Sequence, residues 1–134
     1  MIAAVCIDDS CGLQFNHRRQ SRDRVVTEDL LQSAKGHPLW IAPISQTLFP
    51  EERVSVATDF LEQAGEGDWC FVEDQPLLPV LSRLEAVVLY RWNRTYPADF
   101  YLDVIPWEAG WRLTSREEFP GHSHKLITKE VYLP

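Results

Sequence analysis

Three short, unbroken apolar runs, each closed by turn-forming residues and followed by helix signals, set the tightest limit on what this chain can fold into. Ile2 to Ile7 runs into Asp8-Asp9-Ser10-Cys11-Gly12, Pro38 to Ala42 stops at Pro43, and Trp69 to Val72 stops at Glu73-Asp74. Runs of this length without polar alternation fit strands covered on both faces, the pattern of a parallel sheet. Between the first two, Thr27 stands as an N-cap, Glu28 and Asp29 complement a helix N-terminus, Lys35 its last turn, and Gly36 and Pro38 stop it; this predicts a helix over 28–35. Pro43 then opens a short helical turn to Phe49, Arg53 to Thr58 alternates like a strand, Thr58 caps a helix over 59–64, and Asp74 with Pro76 opens one through Leu77, Leu78, Val80 and Leu81. Strand and helix alternate up to residue 83, which predicts an α/β sheet with parallel crossovers.

From residue 84 the rhythm changes. Leu84 to Trp92 is a long β run, Tyr96 to Val104 holds another extended piece, and Trp111 to Phe119 and Leu126 to Leu133 alternate across a turn at Pro120-Gly121, a C-terminal antiparallel hairpin. The polar, arginine-dense stretch from Asn16 to Arg24 reads as a loop. At 134 residues the chain fits one domain, 1–134, and its 45% hydrophobic and 25% charged content excludes a disordered chain. The fold class expected is therefore a single-domain three-layer α/β structure, a mixed sheet with helices on both faces.

Composition also narrows the partners. The net charge of −7 disfavours nucleic acid and anionic membranes as partners of the whole surface. No apolar run approaches the roughly 20 residues of a membrane span, and no charged leader precedes the first strand, so a cytoplasmic location is expected. Cys6, Cys11 and Cys70 form no C-x-x-C pair and are expected as free thiols rather than as a zinc site or disulfide framework. No segment of the sequence specifies an oligomeric partner, although exposed tryptophans would suit one.

Several motifs together resemble the dihydrofolate reductase family over nearly the whole chain. Ile2-Ala-Ala-Val, an acidic turn and Gly12-Leu13 resemble the strand that leads into that family's mobile loop. Thr27-Glu28-Asp29-Leu30 resembles its Pro-Glu-Asp-Leu, and Gly36-His37-Pro38-Leu39-Trp40-Ile41 its Gly-Lys-Pro-Val-Ile-Met. Tyr96 to Phe100, Gly110-Trp111, Ser115 to Glu118 and Thr128 to Tyr132 follow its final strands in order. The departures fall where the family binds NADPH. Ala42-Pro43-Ile44-Ser45 replaces a Gly-Arg-x-Thr phosphate turn, so one N–H and the arginine are missing. Glu73-Asp74 replaces a Gly-Gly pair, putting two carboxylates where a pyrophosphate would approach. Pro50 to Asp68 is too short for the elements that hold the adenosine half. The resemblance thus implies the family's scaffold with no nicotinamide cofactor, a binding domain for a small anionic or pterin-like molecule; the alternative is a reductase acting on a pterin- or flavin-like substrate with an altered cofactor site.

In that frame Asp29 falls on the family's catalytic acid, whose carboxylate pairs with the N–H groups of a pterin ring, and Glu28 stands beside it among the ligand-facing residues; both acids equally suit the helix dipole. Tyr90 takes the place of a threonine that supports that acid. Arg18, Arg19, Arg22 and Arg24, four of the thirteen basic residues within seven positions, form either an anion-binding loop over the cleft or a solvated stretch paired with acids such as Asp23. Trp92, beside Arg91 and Arg94, is either an aromatic platform for the ligand or a strand-end core residue. His122 and His124 form a two-histidine pair without a third metal ligand, and Ser21, Ser45 and Cys11 lack the sequence context of a covalent nucleophile.

Overall fold

The first apolar run forms the centre of the architecture. The computed structural model describes residues 1–134, and in chain order its elements are β1 (Ile2–Ile7), β2 (Gly12–Phe15), β3 (Arg18–Arg19), α1 (Arg24–Ser33), β4 (Leu39–Ile41), β5 (Ser55–Val56), α2 (Phe60–Gln63), β6 (Trp69–Phe71), β7 (Ala86–Arg91), β8 (Phe100–Tyr101), β9 (Arg112–Phe119) and β10 (Ile127–Leu133). Turns of 3-10 helix cover Pro43–Leu48, Glu51–Arg53 and Leu78–Arg83. The main sheet has the order β5-β4-β6-β1-β7-β10-β9. Its five strands from β5 to β7 are mutually parallel, and β10 and β9 add an antiparallel edge. The mixed sheet, the crossovers and the C-terminal hairpin are those expected.

The pleat sends alternate residues of β1 and β7 into two cores. Ala3, Val5 and Ile7 of β1 join Val87 and Leu89 of β7 under α2, the 78–83 turn and the segment carrying Leu102 and Val104. Ala4 joins Val88 and Tyr90 under α1, whose Val26, Leu30 and Ala34 recur at i, i+4, i+8 along one stripe. Helices therefore cover both faces, and every strand of the central group is buried on two sides, which is why these runs carry no polar alternation.

Several elements differ from expectation for local reasons. The first helix starts at Arg24 rather than Glu28, because its N-cap is Asp23, extended at φ −150° and ψ 127°, whose carboxylate accepts the N–H of Val25. Thr27 lies inside the helix and its hydroxyl donates to the carbonyl of Arg24 at 3.0 Å. The helix expected through Leu81 is reduced to a 3-10 turn that starts one residue before Pro79, which has no N–H to give a longer helix. The 53–58 strand shrinks to Ser55–Val56 at the sheet edge. The arginine-rich stretch is only partly a loop: β2 and β3 (Arg18–Arg19) form a hairpin around Asn16 and His17, whose φ values of 52° and 61° match the two-residue turn that follows strand twist, and residues 20–23 then run irregularly to the helix. β8 joins them as a second, three-stranded sheet rather than extending the first. β9 is exposed along nearly its whole length; its Arg112, Arg116, Glu117 and Glu118 put charge on the sheet edge, where it discourages further pairing.

Candidate functional site

The carboxyl ends of β1, β6 and β7, where open α/β sheets place their ligands, meet beneath the β2-β3 hairpin and the first turn of α1. Cys6, Phe71 and Trp92 form the floor, Val26 and Thr27 one wall, and Arg19 to Asp23 the roof. The free volume enclosed is about 20 Å³, room for one water molecule. The side chains that close it fall into two polar groups with separate geometry.

The first group is a latch across the strand ends. Arg19 reaches over the cavity and donates from Nε to Glu73 Oε2 at 2.8 Å and from Nη2 to Glu73 Oε1 at 2.9 Å and to the carbonyl of Ile44 at 2.8 Å. Ser45 Oγ donates to the same Glu73 Oε1 at 2.7 Å. The pairing is bidentate, and Glu73 is only 8% exposed, so its charge depends on these donors. Side-chain hydrogen bonding to Glu73 raises the Arg19 guanidinium further still. Next to it, burial and then the Glu73 charge push the Asp74 carboxyl up. Cys6 beneath them is inert as a nucleophile, since burial, then Glu73, drives its thiol well above the usual range. Burial likewise raises the Cys11 thiol.

The second group is centred on Asp23, which is 2% exposed. One carboxylate oxygen accepts the N–H of Val25 and of His122, both at 2.9 Å; the other accepts the N–H of Ser123 at 2.8 Å and lies 2.8 Å from His124 Nδ1. Burial alone raises this carboxyl, but the hydrogen bonds from His124, His122, Ser123 and Val25 outweigh it and hold it at about 2. An ionised carboxylate only accepts, so Nδ1 carries a proton, and in the neutral ring Nε2 is then the acceptor. That nitrogen faces the Ser21 hydroxyl at 2.9 Å and the Tyr96 hydroxyl at 3.2 Å. The imidazole is stacked on Trp92 with ring centres 4.5 Å apart and planes 22° from parallel. Gly121 makes the approach possible: a Cβ there would stand 2.6 Å from Asp23 Oδ2 and 2.9 Å from the His124 carbonyl.

The residues singled out in the sequence are scattered by this arrangement. Asp29 does not line the cavity. It points along β10, where Lys129 Nζ lies 2.8 Å away and the Tyr90 hydroxyl donates to it at 2.7 Å. Tyr90 is therefore the partner of Asp29, neither lines the cavity, and burial raises the Tyr90 phenol. The helix face that looks into the cavity presents Val26 and Thr27 instead. Glu28 is exposed, 3.9 Å from Arg24. Arg18 is exposed on the hairpin and Arg19 is the latch. Arg22 and Arg24 do converge: with Asp23, Thr27, Leu48, His122 and Ser123 they line a groove of about 290 Å³, with Arg24 Nη2 3.2 Å from His122 Nδ1. Arg22 lines cavity and groove alike and has no acidic partner. Trp92 is buried at the cavity floor, at once core and lining. Glu73, Asp23, Ser21 and His124 were the members missed; Ser21-x-Asp23 and His122-x-His124 carry the signal, but a hundred residues separate them.

No cluster of three or more His, Cys, Asp or Glu side chains is placed to hold a metal ion. No helix is long and apolar enough to cross a membrane. No family model matches the sequence, and no curated protein matches it. Among solved structures the chain is similar to the dihydrofolate reductase from Enterococcus faecalis complexed with NADP(H) and RAB-propyl, with a TM-score of 0.67 over 99% of this chain and 95% of that one. The identity is 12%, so the likeness gives this chain the dihydrofolate reductase fold and nothing finer.

Proposed function

We propose that the chain is a one-domain cytoplasmic binding protein that takes a small anionic or pterin-like molecule at the mouth between Arg22, Arg24 and His122, and does not act as an NADPH-dependent dihydrofolate reductase. The observation that carries the reading is Arg22, an exposed guanidinium without an acidic partner that borders both the groove and the cavity behind it. An arginine without an acidic partner, beside Arg24 and His122, gives that opening donors for an anion. The site resembles a reductase less. Glu73 and Asp74 stand at the end of β6, so a pyrophosphate there meets carboxylate rather than open backbone. The turn after β4 has already committed the Ser45 hydroxyl and the Ile44 carbonyl to the latch. Asp29, the carboxylate that would read a pterin ring, is engaged by Lys129 and Tyr90. Three free thiols fit a reducing compartment.

The test is titration of the folded protein with NADPH and, separately, with small dicarboxylates and phosphorylated metabolites, read by tryptophan fluorescence and thermal shift. Trp92 at the cavity floor is one of the five tryptophans whose quenching is followed. The expected result is stabilisation by an anion and none by NADPH. Saturable micromolar NADPH binding, or its oxidation with dihydrofolate, overturns the proposal; a coloured cofactor retained through purification favours instead a reductase with an altered cofactor site.

A further inference from the structure

Ser21, His124 and Asp23 stand in the relation that activates a serine nucleophile. The Ser21 hydroxyl is 2.9 Å from His124 Nε2, and His124 Nδ1 is 2.8 Å from Asp23 Oδ2. The imidazole can neither tilt nor change tautomer freely. Trp92 stacks against its face, its side chain is 3% exposed, and Asp23, already accepting three backbone N–H groups, leaves Nδ1 only the donor role. A helix cap and a turn anchor are satisfied by those three amides alone. In its neutral form the ring adds a base whose Nε2 faces the half-buried Ser21 hydroxyl and, at a longer distance, the Tyr96 hydroxyl.

We propose that this cluster is an acyl-transfer site and that the chain hydrolyses small carboxylic esters. Ser21 Oγ attacks the ester carbonyl carbon as its proton passes to His124 Nε2, and the carbonyl π pair moves onto oxygen. Collapse of that adduct breaks the bond to the alcohol, which leaves with the proton from Nε2. Water then repeats the sequence on the acyl-serine, so ester and water give acid and alcohol with no other reactant. The backbone N–H groups of Ser21 and Arg22 donate to no other backbone group of the chain. Asp23 acts through the imidazole as a positioning residue. The triad stands apart from the ligand reading above; only a preference for esters with an anionic acyl end rests on that reading, through Arg22.

The experiment treats the folded protein with diisopropyl fluorophosphate, locates the adduct by peptide mass spectrometry, and measures nitrophenol release from 4-nitrophenyl hexanoate and from the 4-nitrophenyl monoester of adipic acid. A single phosphoryl adduct on Ser21 is expected, absent in Ser21→Ala, with hexanoate turnover at least tenfold lower in that variant at an unchanged melting temperature. The adipate ester should show the higher kcat/KM, and Arg22→Glu should remove that advantage. A folded protein that gains no Ser21 adduct in excess reagent, labels Tyr96 instead, or keeps its turnover as Ser21→Ala refutes the triad. Equal kcat/KM for the two esters in a protein that does label on Ser21 refutes only the anion groove.

Discussion

Replacing Asp23 by alanine removes one carboxylate and strands four donors. The α1 cap alone is worth about 1 kcal/mol. The amides of His122 and Ser123 lose their partners in a half-buried setting, at about 1 kcal/mol each, and the buried His124 Nδ1–H loses a charge-assisted bond worth about 1.5–3 kcal/mol. Together this predicts a loss of about 4.5–6 kcal/mol, a large part of the 5–15 kcal/mol that holds a typical domain. Asp23→Asn keeps one carbonyl oxygen for Val25 and His122 and should lose about half as much. The same carboxylate sets an acid limb. Its folded value, about 2, lies below the ordinary 3.8, so the stability it contributes is complete above about pH 5 and is lost as pH falls through the folded value. The depression corresponds to about 2 kcal/mol at 1.36 kcal/mol per unit. Urea unfolding followed by tryptophan fluorescence, from pH 7 down to pH 2, measures both effects. An alanine variant within 1 kcal/mol of the parent, or one with an equally steep acid limb, refutes the reasoning.

Four further outcomes are expected. Gly121→Ala should cost about 1–3 kcal/mol in thermal or urea melts, because its Cβ meets a carboxylate and a carbonyl that are both held in place. Arg19→Met leaves Glu73 buried without its partner and should destabilise by about 3–5 kcal/mol, and adding Glu73→Gln should recover part of that; strict additivity in the double-mutant cycle would show the latch to be energetically idle. Asp29→Asn weakens its contacts with the mostly buried Lys129 and the buried Tyr90 hydroxyl and should cost about 1–3 kcal/mol while leaving ligand-induced thermal shifts untouched, whereas lost binding would return Asp29 to the site. Charge reversal at both Arg22 and Arg24 should abolish anion binding in titrations with little change in melting temperature, since the contacts of Arg24 with Glu28 and His122 are both exposed.

The order of strands and helices was legible because it rests on local chemistry. Apolar runs that end at Asp, Gly or Pro must be buried strands whatever their neighbours, and Gly36 and Pro38 stop a helix in any context. The second sheet was harder, because the residues of its hairpin turn, Asn16 and His17, are not the usual Asn-Gly, and its third strand, β8, comes from far along the chain.

The site itself was decided by tertiary structure. The helix start depends on which acid caps it, and Asp23 takes that role because the amides of His122 and Ser123, far along the chain, hold its carboxylate beside Val25. Starting at Arg24 turns Val26 toward the cavity and Asp29 toward β10, so a motif that matched by spelling landed on the wrong face. The sequence determined by itself that four arginines crowd one segment. Which of them is free was settled by the end of β6, where a nearly buried Glu73 needs a guanidinium and takes the one that reaches it. Burial and pairing at a distance are properties of the packed chain, and neither is written in the spacing of residues along it.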